Sequence, residues 1–334
     1  MIKVSVIVAS YNSQDTVARC LTSLVNQTLR DIEIIVVNDA STDDSLRILR
    51  KFEAEYPDKV KAIDNPINEK AGGARNKGFD AASGEYIGIV DADDYVASSM
   101  YEQLYNRAKE TDADIVDTGF YMESTDKAML YASDDLTGIL DGHKRSELIS
   151  RGGYLCTKIF RNELFNDPKI RMRENTIALE DFEILIYMIL RAGRLETVKE
   201  VFYYYCNTQG SSTKVMDFDK YYNSVCGAIR ATYDICHGLP AYEGAREAVE
   251  YMMARIYSFG VNRCLYDHIA KYGPDISRVG KYFDDLTPKE KECLAKLAEL
   301  EKEVAHVKFH ENQMVKMRMN PLDLEIIKEC SKRY

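Results

Sequence analysis

Apolar residues dominate the runs 4–9, 32–37 and 86–90, with a weaker run at 60–63. Runs that are apolar on both faces belong to strands buried on both faces, the pattern of parallel strands covered by helices. The segments between them carry helical spacing instead. In 15–27 the residues Val17, Cys20, Leu21, Leu24 and Val25 recur at i, i+3, i+4, i+7 and i+8. Leu46, Ile48, Leu49 and Phe52 mark a helix over 45–52, and 71–82 is small and Gly-rich. Alternation of this kind predicts an α/β unit built from right-handed βαβ crossovers.

Beyond residue 95 the pattern is mixed. It predicts a helix over 98–111, a strand over 114–118, a polar and loop-rich stretch to 142, a helix after Glu180-Asp181 and a strand over 198–205. From 216 it turns helical, with Gly/Pro breaks near 238–240 and 273–274. Thr287-Pro288-Lys289-Glu290 reads as a helix start, with Thr at the N-cap, Pro at N1 and Glu at N3 closing a capping box. Leu294, Leu297, Leu300, Val304 and Val307 then form one stripe suited to packing on the rest of the protein. Met314, Val315, Met317 and Met319, interleaved with Lys316 and Arg318, keep a coiled-coil or membrane-surface reading open. The fold class predicted is α/β: a Rossmann-like, mixed but mainly parallel sheet flanked by helices over 1–215, followed by an all-helical region over 216–334. The first part divides into 1–95 and 96–215.

Composition changes the picture in two ways. At 334 residues, 46% apolar and 29% charged, the chain is globular and long enough for two compact units. Its net charge of −10 lies in 1–280, which argues against nucleic acid as a partner, because that contact needs clustered Lys and Arg. A small phosphate ligand screened by a metal ion is not excluded. The eight cysteines show no C-x-x-C and read as reduced thiols. The N-terminus enters a strand-like run without a signal-peptide pattern, and the longest apolar stretch, 184–190, is far short of the roughly 20 residues that span a bilayer. The expectation is a cytoplasmic protein without a transmembrane segment, peripheral to a membrane at most. The C-terminal helices are its candidate surface for self-association.

In an open parallel sheet, ligands bind beyond the carboxyl ends of the strands. The first such end, Ala9-Ser10-Tyr11-Asn12, lacks a glycine cradle for a dinucleotide but offers a ring suited to stacking a base, although an ordinary turn also accounts for it. The second, Asn38-Asp39-Ala40-Ser41-Thr42-Asp43, places a carboxylate that can accept from a base imide. Helix capping accounts for Thr42 and Asp43 but not for Asp39. The third, Val90-Asp91-Ala92-Asp93-Asp94, sets three acids after an apolar strand. Like charges this close are unfavourable unless they share a cation, and hard Mg²⁺ or Mn²⁺ prefers oxygen ligands. Arg75, in Gly73-Ala74-Arg75-Asn76-Lys77-Gly78, is placed either to contact phosphate or base, or to pair with one of these aspartates.

Together these segments resemble the nucleotide-sugar-binding half of the family 2 glycosyltransferases with a GT-A fold. The resemblance implies that Tyr11 stacks on the nucleobase, usually uracil, and that Asp39 hydrogen-bonds it. It places Asp91 near the ribose and diphosphate, and Asp93 on a divalent metal, Mn²⁺ or Mg²⁺. It continues through Thr157-Lys158-Ile159-Phe160-Arg161 and through Leu179-Glu180-Asp181-Phe182, an acid pair whose second member, Asp181, would be the general base with Glu180 orienting it. Acids at a helix N-terminus also favour its dipole, which accounts for acidity there without choosing between the two. The match extends to Tyr203-Tyr204-Tyr205-Cys206-Asn207-Thr208-Gln209-Gly210-Ser211-Ser212-Thr213. The tyrosines Tyr203, Tyr204, Tyr205, Tyr221 and Tyr222 suit either a sugar groove or packing.

Three departures stand out: Ala9 where many members have Pro, Ala40 where many have Gly, and Cys206 where many have Arg. The last removes a cation from the departing diphosphate and leaves Lys158 and Lys214 as candidates. Processive relatives use a Gln-x-x-Arg-Trp motif, and this chain has no tryptophan. The resemblance thus implies inverting, metal-dependent transfer of one sugar from a nucleotide-sugar, of the UDP class, to a hydroxyl of a glycan or lipid-linked glycan, in surface polysaccharide synthesis. Two alternatives stand beside it: a non-catalytic nucleotide-sugar-binding subunit docked through its C-terminal helices, and a sugar-1-phosphate nucleotidyltransferase.

Overall fold

A computed structural model describes residues 1–130, 132–206, 218–304, 309 and 311–334. The expected boundary at 215/216, Lys214, Val307 and the motif residues from Asn207 to Thr213 lie outside the described residues.

The first four strands are β1 (Val4–Ser10), β2 (Ile32–Asp39), β3 (Val60–Asn65) and β4 (Tyr86–Asp91), alternating with α1 (Val17–Val25), α2 (Ser45–Glu55) and α3 (Lys70–Ala81). Then come β5 (Tyr95–Val96), α4 (Met100–Thr111), β6 (Ile115–Met122), β7 (Lys127–Met129), β8 (Gly138–Ile139), α5 (Gly142–Arg151), β9 (Lys158–Arg161), α6 (Glu163–Asn166), α7 (Phe182–Arg191) and β10 (Arg194–Tyr205). One sheet runs in the order β3-β2-β1-β4-β9-β6-β10-β5, with β7 on β6 and β8 on β10. The pairs among β1, β2, β3 and β4 are parallel, as is β6 with β10, and β9 is antiparallel to both its neighbours. Successive side chains of the central strands feed opposite faces. Val6 and Val8 enter the core beneath α1 and α4, whereas Ile7 enters the core with Ala74 and Phe79 of α3.

Sequence pattern did not mark α5, β5 or β9, and after β6 the described residues of the stretch before 142 form the short β7 and β8 and a 3₁₀ turn at Asp134–Leu136. Strand β9 has a charged residue at its start, Lys158, so no local apolar run announces it. A buried partner specifies it instead. The ammonium lies 3.0 Å from Asp117 of β6, and only 4% of Lys158 is exposed.

The C-terminal helices are α8 (Phe218–Cys236), α9 (Tyr242–Cys264), α10 (Tyr266–Tyr272), α11 (Val279–Tyr282), α12 (Pro288–Glu303), α13 (Gln313–Arg318) and α14 (Pro321–Arg333). Helix α9 is buried nearly all round, the state expected of the centre of a helical assembly. It packs on α5, α8, α12 and α14. Its Val249, Met253 and Tyr257 share one continuous core with Ile7, Ile35 and Ile89 of the sheet and with Ile184 and Met188 of α7. Val315 of α13 and Met319 just after it face this core and Arg318 pairs with Glu147, leaving Met317 exposed. Among the described residues no helix is long and apolar enough to cross a membrane, and no disulfide joins the eight buried cysteines.

Two features position the site. The chain reverses its order across the sheet at β1, so the carboxyl ends of β1, β2 and β4 lie side by side, with Ser10 beside Asn38 and Ala9 beside Asp91. The segment before α7 lies across α3. Asn76 donates to the carbonyl of Met172 at 2.9 Å and accepts from its amide at 2.8 Å. Gly72 permits this close approach, because a Cβ there would meet the Arg173 carbonyl oxygen at 2.2 Å.

Gly72→Ala should therefore lower unfolding free energy by about 1–3 kcal/mol in denaturant titration. Gly238→Ala, whose added Cβ meets nothing within 4 Å, should be close to neutral. The capping box is formed, with Thr287 N donating to Glu290 at 2.7 Å and Glu290 N to Thr287 Oγ1 at 3.3 Å. Thr287→Ala should cost about 0.5–2 kcal/mol by the same measurement, without altering ligand binding.

Candidate active site

Loops after β1 and β2 are tied together at the first two strand ends. Asn12 N donates to Ser41 Oγ at 3.0 Å, and Asn12 Oδ1 accepts from Thr42 N at 2.8 Å. Asn12 takes a left-handed φ of 46° and Ala40 one of 57°, so the alanine holds a conformation that glycine adopts without strain. Tyr11 is 50% exposed at the mouth, with the Lys70 ammonium 5.9 Å from its ring centroid. Asp39 is only 2% exposed, and its Oδ1 accepts from Asn65 Nδ2 and Glu69 N, both at 2.9 Å. The carboxylate is thus locked at the end of β2 by two donors from inside the fold.

The three acids after β4 separate into different environments. Asp94 is 1% exposed and accepts from Tyr203 OH at 2.6 Å and Cys206 N at 2.8 Å. Burial, then the Asp91 charge, push its carboxyl up toward the protonated form. Asp94 therefore fastens the turn to β10 and stands apart from the other two acids. Asp91 and Asp93 stay half-buried at the mouth. Arg19 of α1 donates to the Asp93 carbonyl at 2.7 Å and lies 5.1 Å from the Tyr95 ring centroid. Sequence reasoning missed Arg19, because its position on the polar face of an amphipathic helix carries no local signal.

Arg75 pairs with aspartate, the second of its two sequence alternatives. Its guanidinium donates to Asp91 Oδ1 at 2.7 Å and to Glu180 Oε1 at 3.0 Å. Its Nε is buried without a hydrogen-bond partner. The structure thus brings β4 and the acid pair before α7 to the two sides of one side chain. Asp181 sits at the N-cap of α7. Burial, then the Glu180 charge, push its carboxyl above the usual carboxylate range, while Arg75 pulls it back. Glu183, pushed up to about 7 by burial, is held by Arg173 at 2.6 Å.

The remaining candidates are redistributed. Lys158 is committed to Asp117, Thr157 Oγ1 and the Tyr154 carbonyl inside the sheet, so it is not a cation at the mouth. The Cys206 thiol is buried and pushed up to about 11 by that burial, so it carries no charge. Tyr203 and Tyr222 are core residues. Tyr204 stacks on Tyr95, with centroids 4.6 Å apart and planes at 2°. Among the described residues no group of three or more His, Cys, Asp or Glu could hold a metal by itself.

Comparison with known proteins bears on this arrangement. Residues 5–165 match the model of glycosyl transferase family 2. The uncharacterized glycosyltransferase EpsJ of Bacillus subtilis is 33% identical over 220 residues, which are 64% of this chain and 63% of that protein. The poly(ribitol-phosphate) beta-glucosyltransferase of Bacillus spizizenii is 34% identical over 209 residues, 61% of this chain and 32% of that one. The chain thus spans less than two thirds of the length of either relative. The crystal structure of S. aureus TarS 1–349 in complex with UDP-GlcNAc superposes with a TM-score of 0.69 at 20% identity, covering 100% of this chain and 91% of that one. Over residues 5–165 the chain thus matches glycosyl transferase family 2, and along its whole length it follows a GT-A fold.

Proposed function

We propose that this protein is an inverting glycosyltransferase that moves one sugar from a UDP-sugar to a hydroxyl of a glycan or lipid-linked glycan, in the synthesis of a surface polysaccharide. The observation that carries this reading is the span of Arg75. One guanidinium reaches both Asp91 at the end of β4 and Glu180 beside Asp181, so a donor held at the strand ends lies within reach of a base. Relatives named for glycosyl transfer and a fold shared with a UDP-GlcNAc complex support it.

In this reading Tyr11 offers its exposed face to uracil, and Asp39, oriented by Asn65 and Glu69, accepts from the base imide. Asp91 faces the ribose and diphosphate. Asp93 is an oxygen donor of the kind hard divalent ions prefer, and the remaining positions would fall to the diphosphate, since among the described residues no group of three or more acids, histidines or cysteines could hold a metal by itself. Bound there, Mn²⁺ or Mg²⁺ would stabilise negative charge on the leaving nucleoside diphosphate. Asp181 takes the proton of the acceptor hydroxyl as its oxygen attacks the anomeric carbon. The bond from that carbon to the diphosphate breaks in line, and the diphosphate leaves with the electron pair.

Thermal melts with UDP and UDP-sugars, with Mn²⁺, Mg²⁺ or chelator, test the donor site. A ligand at 100 times its Kd adds about 2.7 kcal/mol. The expected result is a metal-dependent shift that Asp93→Ala abolishes, and no shift with any nucleotide would overturn the reading. Asp181→Asn should keep the UDP shift while donor turnover, followed as UDP release, falls by about 10²–10⁴-fold. Wild-type binding with no turnover at all would favour a non-catalytic binding subunit.

A further inference from the structure

We propose that Arg75 is a positioning residue that locks the acid pair before α7 to the donor-side end of β4, so that the base and the donor site move as one body. This rests on the assignment of Asp181 as base. The local construction supports it. In the first turn of α3 the Arg173 carbonyl oxygen presses onto Gly72 and leaves no room for a Cβ there, and the Glu180 side chain packs beside it. Arg75, one turn on, extends through this contact. Its side chain and that of Glu180 are each 11% exposed. The fork is divided, one terminal nitrogen to each carboxylate, so the planar guanidinium fixes the spacing between them. Neighbouring Asn76 clamps the same segment through both backbone groups of Met172. Adjacent residues of α3 thus hold the segment by two unlike means, and of the two the Arg75 link reaches the end of β4.

The charges give this link a signature that mere support of the fold lacks. The groups acting on Asp181 are Glu180 beside it, Glu183 on α7, Arg75 from α3 and Asp91 from β4, with Arg173 neutralising Glu183. Removing the Arg75 charge leaves Glu180 and Asp91 unopposed, so Asp181 keeps its proton to higher pH. Removing the Glu180 charge leaves Arg75 less opposed, so Asp181 loses its proton at lower pH. Because a general base works only when deprotonated, turnover falls as pH drops through its pKa. The two variants should therefore move the acid limb of kcat in opposite directions.

The experiment follows UDP release from a UDP-sugar by the full chain against pH, for wild type, Glu180→Gln, Arg75→Gln and Arg75→Lys. UDP thermal shifts establish which variants are folded and bind the donor. The acid limb should shift down by about 1 unit in Glu180→Gln and up by about 1 unit in Arg75→Gln. Arg75→Lys restores the charge without the fork, so its limb should return to the wild-type pH while kcat stays below wild type and the UDP shift is kept. If Arg75→Gln does not fold, the Glu180→Gln and Arg75→Lys limbs decide. Limbs that do not move, or that move the same way in the two charge-removing variants, overturn the assignment alone. A wild type that binds UDP but shows no turnover at any pH overturns the transferase reading, and this assignment with it.

Discussion

Carboxylates gathered at one edge of a sheet repel one another, and the molecule holds Asp39, Asp91, Asp93, Asp94, Glu180 and Asp181 together only by giving them different fates. Arg75 neutralises Asp91 and Glu180, two donors lock Asp39, and Tyr203 with the Cys206 amide takes Asp94 into the interior. Much of the surrounding structure serves this distribution. The glycine at the start of α3 lets the acid-bearing segment approach, and β10 runs far enough to place Tyr203 and Cys206 beneath the turn. A buried ion pair is costly to break by removing one partner. Arg75 therefore holds the acids in place as well as balancing their charge.

Strands β1, β2 and β4 were legible because each is buried on both faces, and two-sided burial writes itself into the sequence as a mostly apolar run, whereas β3 at the sheet edge carries exposed Lys61 and Asp64 and left the weaker signal. The helix start at Thr287 was legible because a capping box is a local contract between two residues three apart. Strand β9 was not, because what fixes it is the Lys158–Asp117 pair across 41 positions of chain, which no window contains. The three acids after β4 looked equivalent for a similar reason. Only burial against β10 separates Asp94 from the other two, and a strand that arrives more than a hundred residues later leaves no trace beside them.

Site residues divide the same way. Tyr11, Asp39, Asp91 and Asp93 could be picked out because strand ends are where an open sheet presents its chemistry. Arg75 could be seen as important, but its choice between ligand and carboxylate depended on where Glu180 came to rest. Asn65 and Glu69, which orient Asp39, and Arg19, which holds the Asp93 carbonyl, are ordinary polar residues in their own segments. Their part is written only in three dimensions.

The continuous core that runs from Ile7 of β1 through Met188 of α7 to Cys330 of α14 bears on how such a chain can diversify. A lineage that exchanged its C-terminal helices for those of a relative would inherit an α9 shaped to someone else's α5 and α7. The graft would succeed only if those two faces travelled with it. Recombination is thus steered toward the loops at the carboxyl edge, where sequence can change without disturbing the packing that unites the two halves.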